Sequence, residues 1–312
     1  MGSKIVVAGV TSLYMALPVE GFPLPYTPVH FPDWLRADVS GAACHIADIL
    51  RALGGDVRLC TFVGNDIAGQ AITTSLRARG LLGGGVVTTL HSSLGVVLVD
   101  PDGRRRGHPY LASVNALEYP VEAFRKEMRG SDLAVLTNTA FVRPLLRHAH
   151  REGVPIAVDV HVITDVNDAY NRPWLEVADI IFCSDERLPC PPRQWVAQIF
   201  ACYPGCMIAA VGRGERGCLM GLKDGRLIEA AAVAPRGVVS TSGAGDALFA
   251  SFLHTWLASH NPVAALEDAV LHAGWKVGDT FPGAVSLTED ELRRLREAHP
   301  VKVVFDRWDD TV

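Results

Sequence analysis

Ser240-Thr241-Ser242-Gly243-Ala244-Gly245-Asp246, followed by Ala247-Leu248-Phe249-Ala250-Ser251-Phe252-Leu253, decides how the rest of this 312-residue chain is read. Small residues let backbone N–H groups converge at a helix start. There the unfilled donors and the positive end of the helix dipole form a site for phosphate-like charge. Ala244, Leu248, Phe252 and Trp256 fall four apart, and Phe249 and Leu253 widen the stripe, so a helix with one buried face is predicted over 244–257. Asp246 falls in its first turn. A carboxylate there is a poor phosphate ligand but well placed to take a proton from an attacking hydroxyl. Positioned nucleophile, general base and donors on the developing charge are what phosphoryl transfer needs. The tetrapeptide Gly-Ala-Gly-Asp by itself is equally ordinary capping chemistry. Its context decides.

Outward from this segment, strand and helix signals alternate. Lys4 to Val10 is a continuous apolar run with Gly9 near its end, the pattern of a buried parallel strand. Further strands are expected at Val57–Val63, Leu133–Leu136, Ile156–Asp159, Ile180–Cys183 and Met207–Val211. Helices are expected at Gly41–Leu53, from Asp66 to about Arg79, and near 121–129, 143–152, 193–202, 262–275 and 289–298. Two hairpins turn at Pro101-Asp102-Gly103 and Lys223-Asp224-Gly225, and a final strand is expected at Val301–Phe305. Residues 18 to 34 hold five prolines among Phe22, Tyr26, Phe31 and Trp34, which predicts a loop or irregular edge strand packed over something. The alternation predicts an α/β fold, a doubly wound and mostly parallel sheet with helices on both faces. The early irregular segment and the 94–110 hairpin form an accessory piece.

Composition narrows the function classes. A net charge of −5 and a pI near 6.1 give no basic face for nucleic acid. Arg104-Arg105-Arg106, the one dense basic cluster, reads as the solvated end of a hairpin. The seven cysteines are scattered without a Cys-x-x-Cys pair, and Cys202 and Cys206 have no second pair to complete a zinc site. With no signal peptide and no apolar stretch near ~20 residues, a cytoplasmic protein without membrane partners is expected.

Four blocks in order resemble the ribokinase-like (PfkB) carbohydrate kinase family over nearly the whole chain. They are Gly9-Val10-Thr11-Ser12-Leu13-Tyr14; Ser40 to Ala47 continuing to Phe62-Val63-Gly64-Asn65-Asp66-Ile67-Ala68-Gly69; Val211-Gly212-Arg213-Gly214-Glu215-Arg216-Gly217; and Ser240 to Asp246. The resemblance implies one kinase domain over 1–312, with lid segments at approximately 11–38 and 92–112 forming a small β lid. It implies ATP-dependent phosphorylation of a hydroxyl, with Mg²⁺ on the nucleotide phosphates. Asp246 would be the base, and the amides of Gly243, Ala244 and Gly245 the anion hole. Ser12, Tyr14, Gly41, Ala42 and His45 would face the acceptor; Ser184, Gly212, Gly214 and Gly217 the nucleotide; and Glu186 the metal. Asp159 in Val158-Asp159-Val160-His161 occupies the family's Asp-Pro-Asn segment.

This chain also departs from the family pattern. Tyr14 stands where an Asp commonly grips two sugar hydroxyls, Ser40-Gly41 replaces a Gly pair, His45 an Asn, and Ser240 an Asp. Either Asp33 or Asp38 supplies the missing grip, or the acceptor presents a flatter or more apolar surface. The acceptor expected is a sugar or sugar-like alcohol. A nucleoside stacked on the aromatic loop is the alternative, and a catalytically weak ligand-binding member the third reading. A homodimer is compatible with all three.

Overall fold

Side chains alternate across a strand, and a strand buried on both faces must be apolar throughout. Ile5 and Val7 accordingly enter one apolar layer while Val6 and Ala8 enter the other. The computed structural model describes residues 2–102, 104–279 and 286–309. Its elements are β1 (Lys4–Ala8), β2 (Ser12–Pro18), β3 (Arg36–Ser40), α1 (Ala42–Ala52), β4 (Asp56–Gly64), α2 (Ile67–Ala78), β5 (Val86–Thr89), β6 (Ser93–Val99) and β7 (Arg105–Tyr110). Then come α3 (Ala112–Asn115), α4 (Val121–Met128), β8 (Leu133–Leu136), α5 (Arg143–Arg151), β9 (Ile156–Val162), α6 (Arg172–Leu175), β10 (Ile180–Ser184) and α7 (Pro192–Cys202). The chain continues with β11 (Ile208–Gly212), β12 (Cys218–Leu222), β13 (Arg226–Ala230), α8 (Ala244–Ser259), α9 (Pro262–Lys276), α10 (Glu289–Ala298) and β14 (Val303–Arg307).

Among the described residues, ten strands form one sheet in the order β14-β13-β12-β11-β10-β9-β8-β1-β4-β5. From β11 to β5 the pairs are parallel, and β12, β13 and β14 add an antiparallel end. Helices α1, α2, α8, α9 and α10 cover one face, and α3 to α7 the other. This is the doubly wound sheet the alternation predicts. In such sheets ligands gather beyond the carboxyl ends of the strands. α8 is anchored there by Phe249 and Phe252, whose rings lie 5.0 and 5.1 Å from that of Phe182 on β10. Each buried ring is worth about 1.5–3 kcal/mol.

A second sheet, β3-β2-β6-β7, stands off the first as the small β lid. Its central pair β2 and β6 is parallel, with Ser12 opposite Ser93, and β3 and β7 flank it antiparallel. β2, β3 and β5 are strands the sequence reading did not place, and the last strand begins two residues later than expected, at Val303. In β3 only Val39 is fully buried, so its extended form rests on pairing with β2 rather than on an apolar run. The residues between β2 and β3 are irregular, as their prolines require. Gly103 of the expected turn lies outside the described residues.

Candidate active site

The start of α8 is built by Gly243, the residue before the helix, at φ 76° and ψ 2°. That left-handed conformation suits glycine and turns the chain sharply into the helix. Gly243 O accepts from Ala247 N at 2.9 Å, and Thr241 O from Ala244 N at 3.4 Å. The amides of Gly245 and Asp246 have no backbone acceptor among the described residues, the ordinary condition of a first helical turn. The loop and helix start close one side of a cavity of about 320 Å³ between the main sheet and the lid. Ser240, Ser242, Gly243 and Asp246 line it here; Gly41, Ala42 and His45 of the α1 start line it beside them. Tyr14, Ala16, Asp38, Val97, Val99 and Arg105 of the lid and Trp34 of the irregular segment complete it.

Asp246 is the acid on the cavity floor, and burial pushes its pKa up to about 7. Asp159 raises it further, while His161 and Lys276 oppose the rise. Asp159 and His161 come from the end of β9, where one extra residue bulges against β10 between Asp159 and Val162. Bulges re-aim side chains beside active sites. Here the bulge leaves His161 at φ 56°, strained for a residue with a Cβ. Asp159 holds it there, accepting from His161 N at 2.8 Å and standing 3.4 Å from Nδ1. Lys276, buried in α9, pairs with Asp279 at 3.3 Å.

Gly41 gives α1 its entry. At φ 111° its Cα faces Val10 O so closely that a Cβ would come within 2.4 Å of it. His45, one turn on, meets Ser40 Oγ through Nε2 at 2.8 Å. Burial, reinforced by Arg79 and Lys276, lowers its pKa to about 3, so the imidazole is neutral near pH 7. Tyr14 lies over Gly95 of the next strand, where a Cβ would stand 2.4 Å from the ring. Asp38 is its register partner on β3. Asp38 Oδ1 accepts from Val39 N at 2.7 Å and from Arg79 at 3.4 Å. Arg79 also pairs with Asp48, at 3.7 Å.

A second group forms where β10 and β11 end. Ser184 Oγ accepts from Glu186 N at 3.3 Å, and Asp185 pairs with Arg216 of the β11–β12 turn. That turn runs from Gly212 to Gly217, closed by Arg213 N on Gly217 O at 2.8 Å. Gly212 faces Leu248 of α8, so this group borders the first turns of that helix. Glu186 itself is exposed.

The structure brings Tyr14, Gly41, Ala42, His45, Gly243 and Asp246 to one cavity, with Ala244 and Gly245 continuing the helix start. It brings Ser184, Glu186, Gly212, Gly214 and Gly217 to the neighbouring turns. Ser12 is a correction. Its side chain is fully buried in the β2–β6 seam and bonds Ser93 Oγ at 2.7 Å, so it is spent on the lid and does not line the cavity. Of the two candidate acids, Asp38 lines the cavity and Asp33 is exposed outside it. The basic cluster is exposed throughout, as expected of a solvated hairpin end. Arg104 pairs with Asp100 at 2.7 Å, and Arg105 reaches Thr241 and Ser242. Sequence reasoning did not single out Arg105 or His161, and the uniformly exposed β7 offers no alternation that would have marked Arg105.

A model of the pfkB family of carbohydrate kinases matches residues 3–288. An ATP-dependent ribose-1-phosphate kinase of Halopiger xanaduensis is 28% identical over 243 residues, 75% of this chain and 78% of that protein. The microbiome-derived acarbose kinase Mak1 has the same fold at a TM-score of 0.85 and 21% identity, covering 95% of this chain and 99% of that one. A Burkholderia thailandensis nucleoside kinase in complex with inosine gives 0.77 at 19% identity, over 94% and 98%. The chain belongs to the pfkB carbohydrate kinase family, and it is an ATP-dependent carbohydrate kinase.

Proposed function

We propose that this kinase phosphorylates a hydroxyl of a sugar bearing a flat or apolar substituent, with Asp246 as general base. The observation that carries the reading is Asp246 itself: an acid whose pKa burial raises to about 7, lining the cavity in the first turn of a helix where the amides of Gly245 and Asp246 have no backbone acceptor among the described residues. A base near the working pH removes a proton most effectively. The acceptor hydroxyl gives its proton to Asp246 as its oxygen bonds the γ-phosphorus of ATP. The bond from that phosphorus to the ADP oxygen breaks, and the amides of Gly243 and Gly245, joined by that of Ala244 once it leaves Thr241 O, hold the charge that develops. ATP lies along the turns that carry Ser184, Gly212, Gly214 and Gly217. Mg²⁺ would be held by Glu186 beside the nucleotide and would offset the charge of its phosphates. Such sites take one or two carboxylates and complete the shell with phosphates and water. A single carboxylate at Glu186 fits that need, and no group of three or more candidate ligands occurs among the described residues.

On the acceptor side Asp38 takes the place of the missing grip, accepting sugar hydroxyls while neutral His45 supplies one further hydrogen bond. Trp34, Tyr14, Val97 and Val99 form an apolar wall that a bare pentose, rich in hydroxyls, has no apolar group to match. That wall also favours nucleosides as the second reading, since aromatic rings stack on bases. The lid strands and main sheet act as one domain, the lid closing to exclude water as a competing acceptor. The deciding test is acceptor-dependent ADP release with Mg-ATP over ribose, ribose 1-phosphate, hexoses, sugar acids, inosine and adenosine. Release is expected with substituted sugars above free hexoses. Equal, efficient turnover of ordinary hexoses would dismiss the apolar wall as a selector.

A further inference from the structure

The strained residue at the end of β9 carries a cation to the general base. His161 Nδ1 stands 3.4 Å from Asp159 Oδ2, and Asp159 Oδ1 accepts from His161 N at 2.8 Å. One carboxylate thus fixes both backbone and ring, while Nε2 has no partner among the described residues. Asp159 draws the imidazole pKa above its ordinary value; burial opposes this, and Asp246 adds to the rise. Protein surrounds the ring, yet 44% of the side-chain surface reaches solvent, the mark of a group in a recess. His161 does not line the acceptor cavity. Val162, the next residue, is the register partner of Ser184, where the nucleotide-side turn begins. The charges of His161 and Asp246 act on each other, so His161 stands between the base and the turn assigned to ATP. A phosphoryl group arriving there meets the carboxylates of Asp159 and Asp246, and like charge opposes its approach. Lys276 is fully buried and engaged with Asp279. The open nitrogen of an imidazolium is the donor left to meet that group.

We propose that His161 is a catalytic residue supplied by the main sheet, its Nε2–H donating to a γ-phosphoryl oxygen of ATP and staying with that oxygen through transfer. The inference rests on the reading of Asp246 as general base. As the acceptor oxygen bonds phosphorus and the bond to the ADP oxygen breaks, the acceptor proton goes to Asp246 and His161 keeps its own. The β9 bulge then has a use, since it turns the end of the strand so that Asp159 holds one ring nitrogen and leaves the other open. The strain at φ 56° persists because Asp159 grips the residue at both its amide and its ring.

The test compares wild type, His161→Asn and His161→Gly, whose new residues both adopt a positive φ more readily than most. Turnover is measured with the best acceptor of the panel. Calorimetry compares Mg-ADP with the magnesium complex of the β,γ-imido analogue of ATP, which adds the terminal phosphate. Losing one preorganised donor on a developing charge costs about 10²–10³-fold. Both variants are expected to lose that much in kcat, with the acceptor KM little changed. Both should bind Mg-ADP as wild type does but lose the tighter binding of the imido analogue. Added imidazole should restore part of the turnover of His161→Gly, whose recess it can enter, and leave wild type unmoved. Unchanged kcat, or equal losses of affinity for the two nucleotides, would overturn the proposal. So would a rise confined to the acceptor KM, which would set His161 against the acceptor instead. Near-normal turnover in Asp246→Asn would break the reading beneath the proposal, and the proposal with it. Thermal melting and the imidazole rescue keep these outcomes apart from misfolding.

Discussion

The catalytic loop and the lid face the same cavity, yet they are specified in opposite ways. Residues 240–253 carry their structure locally: small residues at the turn, Gly243 for the left-handed entry, then an apolar stripe that buries Phe249 and Phe252 against Phe182. The lid is assembled from strands far apart in the chain, Ser12 opposite Ser93 and Tyr14 opposite Asp38, and few of its residues are fully buried. In the proposed reading the first region supplies the chemistry and the second selects the acceptor, and the lid's thinner core lets its side chains vary without loss of the fold.

If that division holds, a change in the loop should abolish transfer with any acceptor. Asp246→Asn keeps the size of the side chain but cannot take the proton, and losing a general base costs about 10²–10⁴-fold. The expected result is that loss in kcat with the KM for ATP little changed; near-normal turnover would remove Asp246 from the mechanism. The same variant has a stability signature. The folded protein raises the Asp246 pKa to about 7 from an ordinary value of 3.8, so it prefers the protonated form. That contribution is complete below pH 3.8 and is lost as pH rises to 7. Asp246→Asn should therefore melt above wild type at pH 8, with a smaller gap at pH 5.

A change in the lid should act on one substrate only. Asp38→Asn removes the carboxylate from the acceptor wall while Arg79 keeps Asp48 as its partner. Hydrogen bonds to a charged group are worth about 1.5–3 kcal/mol, so acceptor kcat/KM should fall about 10- to 100-fold with the KM for ATP steady. Equal losses for both substrates would make Asp38 a structural member of the Arg79 network instead.

The contrast also explains what the sequence made legible. The parallel strands, the helices that cover them and the turn into α8 are written in local apolar runs and spacing. β2 and β3 were not, because short half-buried strands take their form from distant partners. Tyr14 stands out in the sequence as a departure, but preferring Asp38 over Asp33 as the proposed acid needs the pairing of β3 with β2, which sets Asp38 opposite Tyr14. Arg105 is exposed, as its cluster suggests, but only the folded lid brings it to Ser242. His161 depends on a bulge between β9 and β10 that no spacing in the chain announces.

Acidity offers a smaller effect that also separates the two regions. The proton-accepting form of Asp246 is lost below its pKa, so kcat/KM should fall about tenfold per pH unit below 7, with a slope of one. His45 adds no second inflection near neutrality, because its pKa is held at about 3. The limb should vanish from the residual activity of Asp246→Asn and persist in Asp38→Asn. A limb that survives Asp246→Asn would assign it to another group.

The smallest expected effect is that of monovalent ions, and it tests a departure within the loop itself. Potassium-activated members of this family resemble one another in placing an Asp carboxylate where this chain has Ser240. A neutral hydroxyl is a much weaker cation ligand than an anionic oxygen. Here Ser240 is also engaged locally: its amide donates to Val277 O at 3.0 Å, and its Oγ accepts from Ser242 N at 3.3 Å. Two fixed cations already stand behind the loop, Lys276 and Arg236, both paired with Asp279. Their charge opposes entry of a third. Replacing potassium by sodium should therefore change kcat less than twofold, with nucleotide and acceptor KM unmoved. Tenfold activation by potassium would show that backbone carbonyls alone build the ion site, and Ser240→Asp would then be expected to strengthen it rather than create it.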